Sequence, residues 1–189
     1  MDRTPEQLLE SLRELHLQMA TAMRERWNRD LPFGELIGDR WQRARRLGFG
    51  EGASVYDQCY VFGDVQVGEG AWIGPGTVLD GSGGLRIGAH THISTGTMIF
   101  THDTVQRALS GNRLPPDTAP VSIGERCYIG SQSTIVKGVT IGDQCVIGAG
   151  SILTRDIPAR SVAFGSPCRV VGRVEDDVDG RYRLVYDAT

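Results

Sequence analysis

An aliphatic residue recurs at every sixth position along most of this chain. Val61, Val67, Ile73 and Leu79 open the series, Ile87, Ile93 and Ile99 continue it, and Ile123, Ile129, Ile135, Ile141, Ile147 and Leu153 close it. Two positions before many of them sits a small or modest residue: Cys59, Ala71, Thr77, Thr91, Thr97, Cys127, Ser133, Cys145 and Ser151. Glycine often follows, as in Ile73-Gly74 and Ile129-Gly130. A period of six fits neither the helix repeat nor strand alternation, and a fixed repeat of this kind marks a solenoid. The pattern predicts a parallel β-helix in which three hexads make one triangular coil. Each inward aliphatic stacks on its equivalents and contributes roughly 1.5–3 kcal/mol when buried. Glycine suits corners that need a positive φ or close backbone approach.

The ends of the chain follow other patterns. Thr4-Pro5-Glu6-Gln7 reads as an N-cap, a proline at the first helical position and a capping-box partner. Leu8, Leu12, Leu15, Met19, Met23 and Trp27 follow at helical spacing, giving one amphipathic helix that Leu31-Pro32-Phe33-Gly34 ends. A second short helix is predicted over Asp39 to Leu47. The apolar stripe is expected to pack on the solenoid end or on another subunit. After Leu153 the repeat is expected to stop. Asp156-Ile157-Pro158 breaks it, Gly165-Ser166-Pro167 turns the chain, and Arg169 to Val174 and Arg181 to Tyr186 can pair as a hairpin through Asp179-Gly180. The expected organisation is a helical segment over residues 1–50, an all-β solenoid over 51–155 with a loop extruded at 100–122, and a capping tail over 156–189. The tail would cover an otherwise unpaired strand edge.

Two places break the hexad rule, and breaks in a regular solenoid are where function is grafted. Between Leu79 and Ile87 two extra residues enter, giving Asp80-Gly81-Ser82-Gly83-Gly84; between Ile99 and Ile123 the gap is 24 residues. Counting around the triangle places both insertions at one corner, with Lys137 and Arg155 near it. The long loop opens Phe100-Thr101-His102-Asp103-Thr104 and continues through Arg107. His102 is the best candidate for chemistry, since imidazole takes and returns a proton near neutral pH. Asp103 is too near in sequence to bond its neighbour's ring and is expected to order the loop. Asp80, one coil below, or a backbone carbonyl would orient His102. His90 and His92 alternate through a turn into a strand and read as structural.

Composition narrows the class. The chain has 189 residues, is 40% hydrophobic and carries a net charge of −3, too balanced for a nucleic-acid binder. Lys137 is its only lysine. No apolar run approaches the roughly 20 residues of a membrane span, and the cytoplasm is the expected compartment. Cys59, Cys127 and Cys145 occupy the small-residue register and read as core fillers, and Cys168 follows a proline; no paired spacing suggests zinc.

The hexads, the Thr-His-Asp loop, the run Pro120 to Gly130, Gly138-Val139-Thr140-Ile141-Gly142, Ile147 to Ser151, Asp156-Ile157-Pro158 and Gly165 to Val170 resemble the hexapeptide-repeat acyltransferases. The resemblance covers about residues 55–174 and is nearest to the maltose, galactoside and polysaccharide O-acetyltransferases. It implies a left-handed parallel β-helix and a homotrimer with sites between subunits. It implies acetyl-CoA as donor, a carbohydrate acceptor and His102 as general base; from their place in the insertions, Asp80, Asp103 and Arg107 are the residues expected to orient the histidine or bind the acceptor, and no metal is expected. Tyr128 stands where relatives carry Trp beside the cofactor; Ser131, Gly148, Ala149 and Gly150 match the pantetheine stretch, and Arg155 and Arg169 match positions near the CoA phosphates, with Lys137 as a further cation. Ser94-Thr95-Gly96-Thr97 replaces the Asn that sugar acetyltransferases often carry in the coil before the histidine. The N-terminal region also departs from that of the maltose and galactoside enzymes. N-acetylation of an amino nucleotide sugar is the nearest alternative; a metal enzyme using His90, His92 and His102, or a non-catalytic scaffold, stand further off.

Overall fold

A computed structural model describes residues 3–187 and shows a parallel β-solenoid carrying a helical N-terminal segment. Its cause is the hexad. Every inward aliphatic from Ile73 to Leu153 is buried, and the strands holding them are mostly two residues long. On the first face Val55, Ile73, Ile93, Ile129, Ile147 and Ala163 stack in parallel register. Val61, Leu79, Ile99, Ile135 and Leu153 form the second face. Val67, Ile87, Ile123 and Ile141 form the third. One hydrophobic core runs the length of the prism.

Two kinds of corner residue keep the coils in register. The glycine directly after an aliphatic serves close approach: a Cβ at Gly130 would lie 2.5 Å from the Ala149 nitrogen of the next coil. The positive φ comes two residues later, where Gln132 (φ 58) and Gln144 (φ 56) accept a conformation that elsewhere goes to glycine. His90 sits at the same position with φ 56.

The solenoid is longer than the hexad series suggests. Val55 supplies an earlier rung, and the repeat does not stop at Leu153. Ile157 bridges to Ile141, and Ser161–Gly165 adds a parallel strand to the first face, with Ala163 buried. The step shortens from six residues to four at Asp156-Ile157-Pro158, yet Ile157 still points inward, so the tail begins only after the cis bond at Ser166-Pro167. Cys168–Asp176 then turns back antiparallel on Ser161–Gly165 and pairs with Tyr182–Tyr186 as the expected hairpin. On the third face the position two before the aliphatic is large: Val65 opposes Leu85, and Leu85 opposes Val121.

At the other end, α1 (Pro5–Trp27) begins with the full capping box: Gln7 N donates to Thr4 Oγ1 and Thr4 N to Gln7 Oε1. It ends at Asn28 in the left-handed conformation, before the Leu31-Pro32 segment, and Phe33–Ile37 forms a further short helix, α2. No α1 residue is buried; its stripe meets α2, with His16 edge-on to Phe33, and is not sunk into the solenoid end. That end is covered by α3 (Arg40–Arg46), capped by Asp39. Arg43 donates to the carbonyls of Tyr56, Asp57 and Cys59, satisfying acceptors the first coil has no earlier coil to pair with. Among the described residues no helix is long and apolar enough to cross a membrane.

Candidate active site

The two insertions meet at the corner between the second and third faces. Leu79 and Ile99 are register partners, so the chain leaving each arrives at the same edge. The lower insertion is a bulge inside one continuous strand, Val78–Ile87, where the pairing with Tyr60–Val67 slips between Gly63 and Val65. The upper one is tighter than a loop over 100–122. His102–Asp103 pairs antiparallel with Asp117–Thr118, a short helix α4 (Val105–Leu109) sits between them, and Val121–Ile123 is already strand. The excursion is therefore a flap closed at its neck.

Asp80 and Thr101 knit the corner together. Asp80 Oδ1 accepts from Ser82 N at 3.0 Å and Ser82 Oγ at 2.5 Å, an Asx turn that the inserted residues make possible. Its Oδ2 accepts from Thr101 N at 2.8 Å, and Thr101 Oγ1 donates to the Asp80 carbonyl at 2.8 Å. Thr101 Oγ1 in turn accepts from Gly83 N at 2.7 Å, and its carbonyl accepts from Ala119 N at 3.0 Å. Only glycine fits at 83, because a Cβ there would come within 2.5 Å of that carbonyl. Neither Ser82 nor Thr101 stands out in the sequence, although each lies within two residues of a candidate inside an insertion.

His102 receives the product of this network. Its Nδ1 lies 2.7 Å from Asp80 Oδ2, and the Asp80 side chain is 4% exposed against 35% for the imidazole. Burial disfavours the Asp80 charge, yet hydrogen bonds from Ser82, Thr101 and His102 outweigh it and hold the carboxyl well below the usual carboxylate range. A fixed carboxylate on Nδ1 makes that nitrogen the donor, leaving the Nε2 lone pair for a proton from outside. The arrangement can therefore act as an oriented base.

The remaining candidates divide by place. Asp103 accepts from Val105 N at 3.0 Å and pairs with Lys137 at 3.1 Å, while Asp117 on the opposite side of the neck also pairs with Lys137. These carboxylates raise the Lys137 pKa, and the lysine that the sequence offers as a cofactor cation ties the two sides of the flap's neck together. Arg107 turns along the flap toward Asn112. Arg155 is exposed on the His102 corner, two residues after Leu153. Tyr128 stands exposed on the first face between His92 and Val146. Ser131 and Gly148 to Gly150 form the corner after that face, where the Ser131 carbonyl accepts from Gly150 N at 2.8 Å. Arg169 opposes Phe164 in the antiparallel pair of Ser161–Gly165 with Cys168–Asp176. Within one chain the outer second face thus separates the glycine corner from His102. His90 and His92 lie on or before the first face, away from His102, and His90 pairs with Glu69 at 3.5 Å. All four cysteines are buried, so the site offers no accessible thiol nucleophile among the described residues.

Comparison with known proteins bears on this geometry. A family model described as the hexapeptide repeat of succinyl-transferase matches residues 120–155. The chain is 33% identical over 130 residues to galactoside O-acetyltransferase of Escherichia coli, an alignment spanning 58% of this chain and 64% of that protein. It is 28% identical over 98 residues to the 2,3,4,5-tetrahydropyridine-2,6-dicarboxylate N-acetyltransferase of Staphylococcus aureus, covering 52% of this chain and 37% of the relative. The chain therefore spans less than two thirds of these curated relatives. Among solved structures, AntD, an N-acyltransferase from Bacillus cereus in complex with dTDP and 3-hydroxybutyryl-CoA, aligns at TM-score 0.61 and 26% identity over 66% of this chain and 71% of its own. A hexapeptide-repeat-containing acetyltransferase from Vibrio cholerae complexed with acetyl coenzyme A aligns at TM-score 0.64 and 24% identity over 93% of this chain and 94% of its own, a likeness of fold.

Proposed function

We propose that this chain, which belongs to the hexapeptide-repeat acyltransferase superfamily in its sugar acetyltransferase branch, transfers an acetyl group from acetyl-CoA to a hydroxyl of a sugar or polysaccharide precursor. The observation that carries the reading is the buried Asp80 carboxylate fixed on His102 Nδ1 at 2.7 Å, which leaves Nε2 as an oriented base at the mouth of the only long excursion among the described residues. Nε2 takes the acceptor hydroxyl proton as the oxygen attacks the thioester carbonyl. The tetrahedral intermediate expels the CoA thiolate, which receives the proton back from Nε2, so no acyl-enzyme forms. Gly148, Ala149, Gly150 and Ser131 are proposed to line the pantetheine arm beside Tyr128, with Arg155 and Arg169 toward the CoA phosphates. Because the glycine corner and His102 occupy different corners of one prism, the proposed site lies between subunits of a homotrimer, glycine corner from one chain and His102 from the next.

N-acylation of an amino nucleotide sugar is the second reading, favoured by the likeness to AntD at 26% identity. Thiol release from acetyl-CoA, measured with methyl glycosides and a dTDP-linked amino sugar, tests both. An ester product is removed by mild alkali and an amide is not; thiol release with none of these acceptors would argue against either reading.

A further inference from the structure

On the coil below Asp80, and two coils below the one from which His102 leaves, two aromatic rings stand uncovered. Tyr60 and Phe62 flank the inward Val61, so both side chains leave the prism on the outer side. Their planes lie 15° apart with centroids 6.0 Å apart, a stacked pair, and they are 63% and 51% exposed. Phe62 is the register partner of Asp80. One rung, about 4.8 Å, therefore separates it from the residue that holds His102. At the corresponding corner positions of the higher coils stand Asp80, Phe100, Val136 and Thr154, of which none is an exposed aromatic. The pair is thus local to the rung beneath the dyad and is not a feature of the whole face.

The corner is fixed immediately after Phe62. Gly63 has φ +67, and a Cβ there would lie 2.6 Å from the Gly81 backbone. Around that corner the surface turns polar: Gln66 Nε2 donates to Asp64 Oδ1 at 3.4 Å, and Arg86 donates to Gln66 Oε1 at 2.7 Å. An apolar platform followed around its corner by a carboxylate, an amide and a guanidinium suits one class of ligand well, a ring with an apolar C–H face and a rim of hydroxyls. Small-molecule sites combine these parts, apolar area for affinity and a few placed polar groups for orientation.

Building on the acyltransferase reading, we propose that Phe62, backed by Tyr60, is the stacking platform for the acceptor's pyranose ring, with Asp64 taking hydroxyls at its edge. The acceptor then approaches His102 from the N-terminal side of the corner. The donor nucleotide approaches from the opposite side, where Arg155 stands two coils above His102.

The test uses full-length protein, acetyl-CoA, and methyl β-D-galactopyranoside, methyl α-D-glucopyranoside and a dTDP-linked 4-amino-6-deoxyhexose as acceptors. Phe62→Ala and Phe62→Leu should each raise the acceptor KM about tenfold, the order expected for a lost aromatic stacking contact. Phe62→Trp should stay near wild type, because it keeps a flat face where leucine keeps only bulk. The KM for acetyl-CoA and the native mass should not change in any variant. An acceptor KM unmoved in both Ala and Leu variants overturns the platform while leaving the acyltransferase reading intact. A fall in native mass on Phe62→Ala assigns the pair to a contact between copies of the chain and likewise overturns it. If the wild-type protein releases thiol with none of the three acceptors, the acyltransferase reading fails and the platform fails with it.

Discussion

Asp80 and His102 stand 22 residues apart in sequence and one coil apart in space, joined through Oδ2 and Nδ1 at 2.7 Å. The contact exists because two departures from the hexad leave the same edge. The bulge after Leu79 turns Asp80 into a buried acceptor, and the flap after Ile99 brings the imidazole over it. Regular coils elsewhere supply rigidity, and this corner holds the proposed base. Removing either partner should show as lost turnover. His102→Ala should leave the protein folded and lower transfer by roughly 10²–10⁴. Asp80→Asn should cost a similar factor, since an amide can donate to Nδ1 and turn Nε2 into the protonated nitrogen. Steady-state rates with circular dichroism as the folding control check both, and near-wild-type turnover in His102→Ala would sink the assignment.

Asp80 also predicts an acid dependence of stability. Its carboxyl titrates lower in the folded chain than its ordinary value of about 3.9, so the unfolded state binds the proton more readily. The stabilisation is therefore complete above about pH 4 and shrinks as pH falls below that toward the depressed folded value. Urea midpoints of wild type and Asp80→Asn should differ by a constant amount between neutral pH and pH 5 and converge below pH 4. Convergence beginning near pH 6, or none by pH 2.5, would assign the sensitivity to other groups.

Much of this was legible in the sequence. The inward column from Ile73 to Leu153, the capping box of Thr4 and Gln7, and the convergence of two insertions on one corner all followed from spacing, because spacing directly sets which side chains share a face. Asp80 as partner for His102 followed from the same count, with a backbone carbonyl left open beside it. What spacing could not give was pairing between side chains. Lys137 read as a cation near the cofactor, whereas Asp103 and Asp117 engage it. Thr101 looked like a loop residue, although its hydroxyl and amide bind the corner together. The solenoid ran past Leu153 because burial of Ile157 and Ala163 tolerates one step of four residues, a substitution that a strict period of six does not reveal.

Lys137 should control the flap. Its ammonium joins Asp103 at one side of the neck and Asp117 at the other, so Lys137→Met removes a cross-link and leaves two carboxylates facing each other. Transfer should fall about tenfold or more, since small misplacements of a catalytic group cost up to about a hundredfold. The peptide bonds around Val105–Leu109 should become sensitive to limited proteolysis. Lys137→Arg should keep most activity and protection. A methionine variant with wild-type rate and an intact flap would show that the antiparallel pair of His102–Asp103 with Asp117–Thr118 is sufficient to hold it.

Complementation between subunits tests the shared site. In one prism the glycine corner around Ala149 follows the first face, whereas His102 follows the second, and the outer second face lies between them. If each proposed site takes His102 from one chain and the glycine corner from its neighbour, two individually inactive variants should rescue each other. His102→Ala carries an intact glycine corner; Ala149→Trp carries an intact imidazole but places a bulky ring on the exposed surface where the pantetheine arm would run. Unfolded together and refolded at equal ratio, random assembly should give both intact halves in about a quarter of the sites. Activity should return toward that fraction of wild type, with native mass spectrometry confirming mixed assemblies. A site completed within one chain predicts a different outcome, because every subunit would then carry one broken half. Confirmed mixed assemblies without any recovery would place the whole reaction on a single chain and require the donor to cross the outer second face to reach His102.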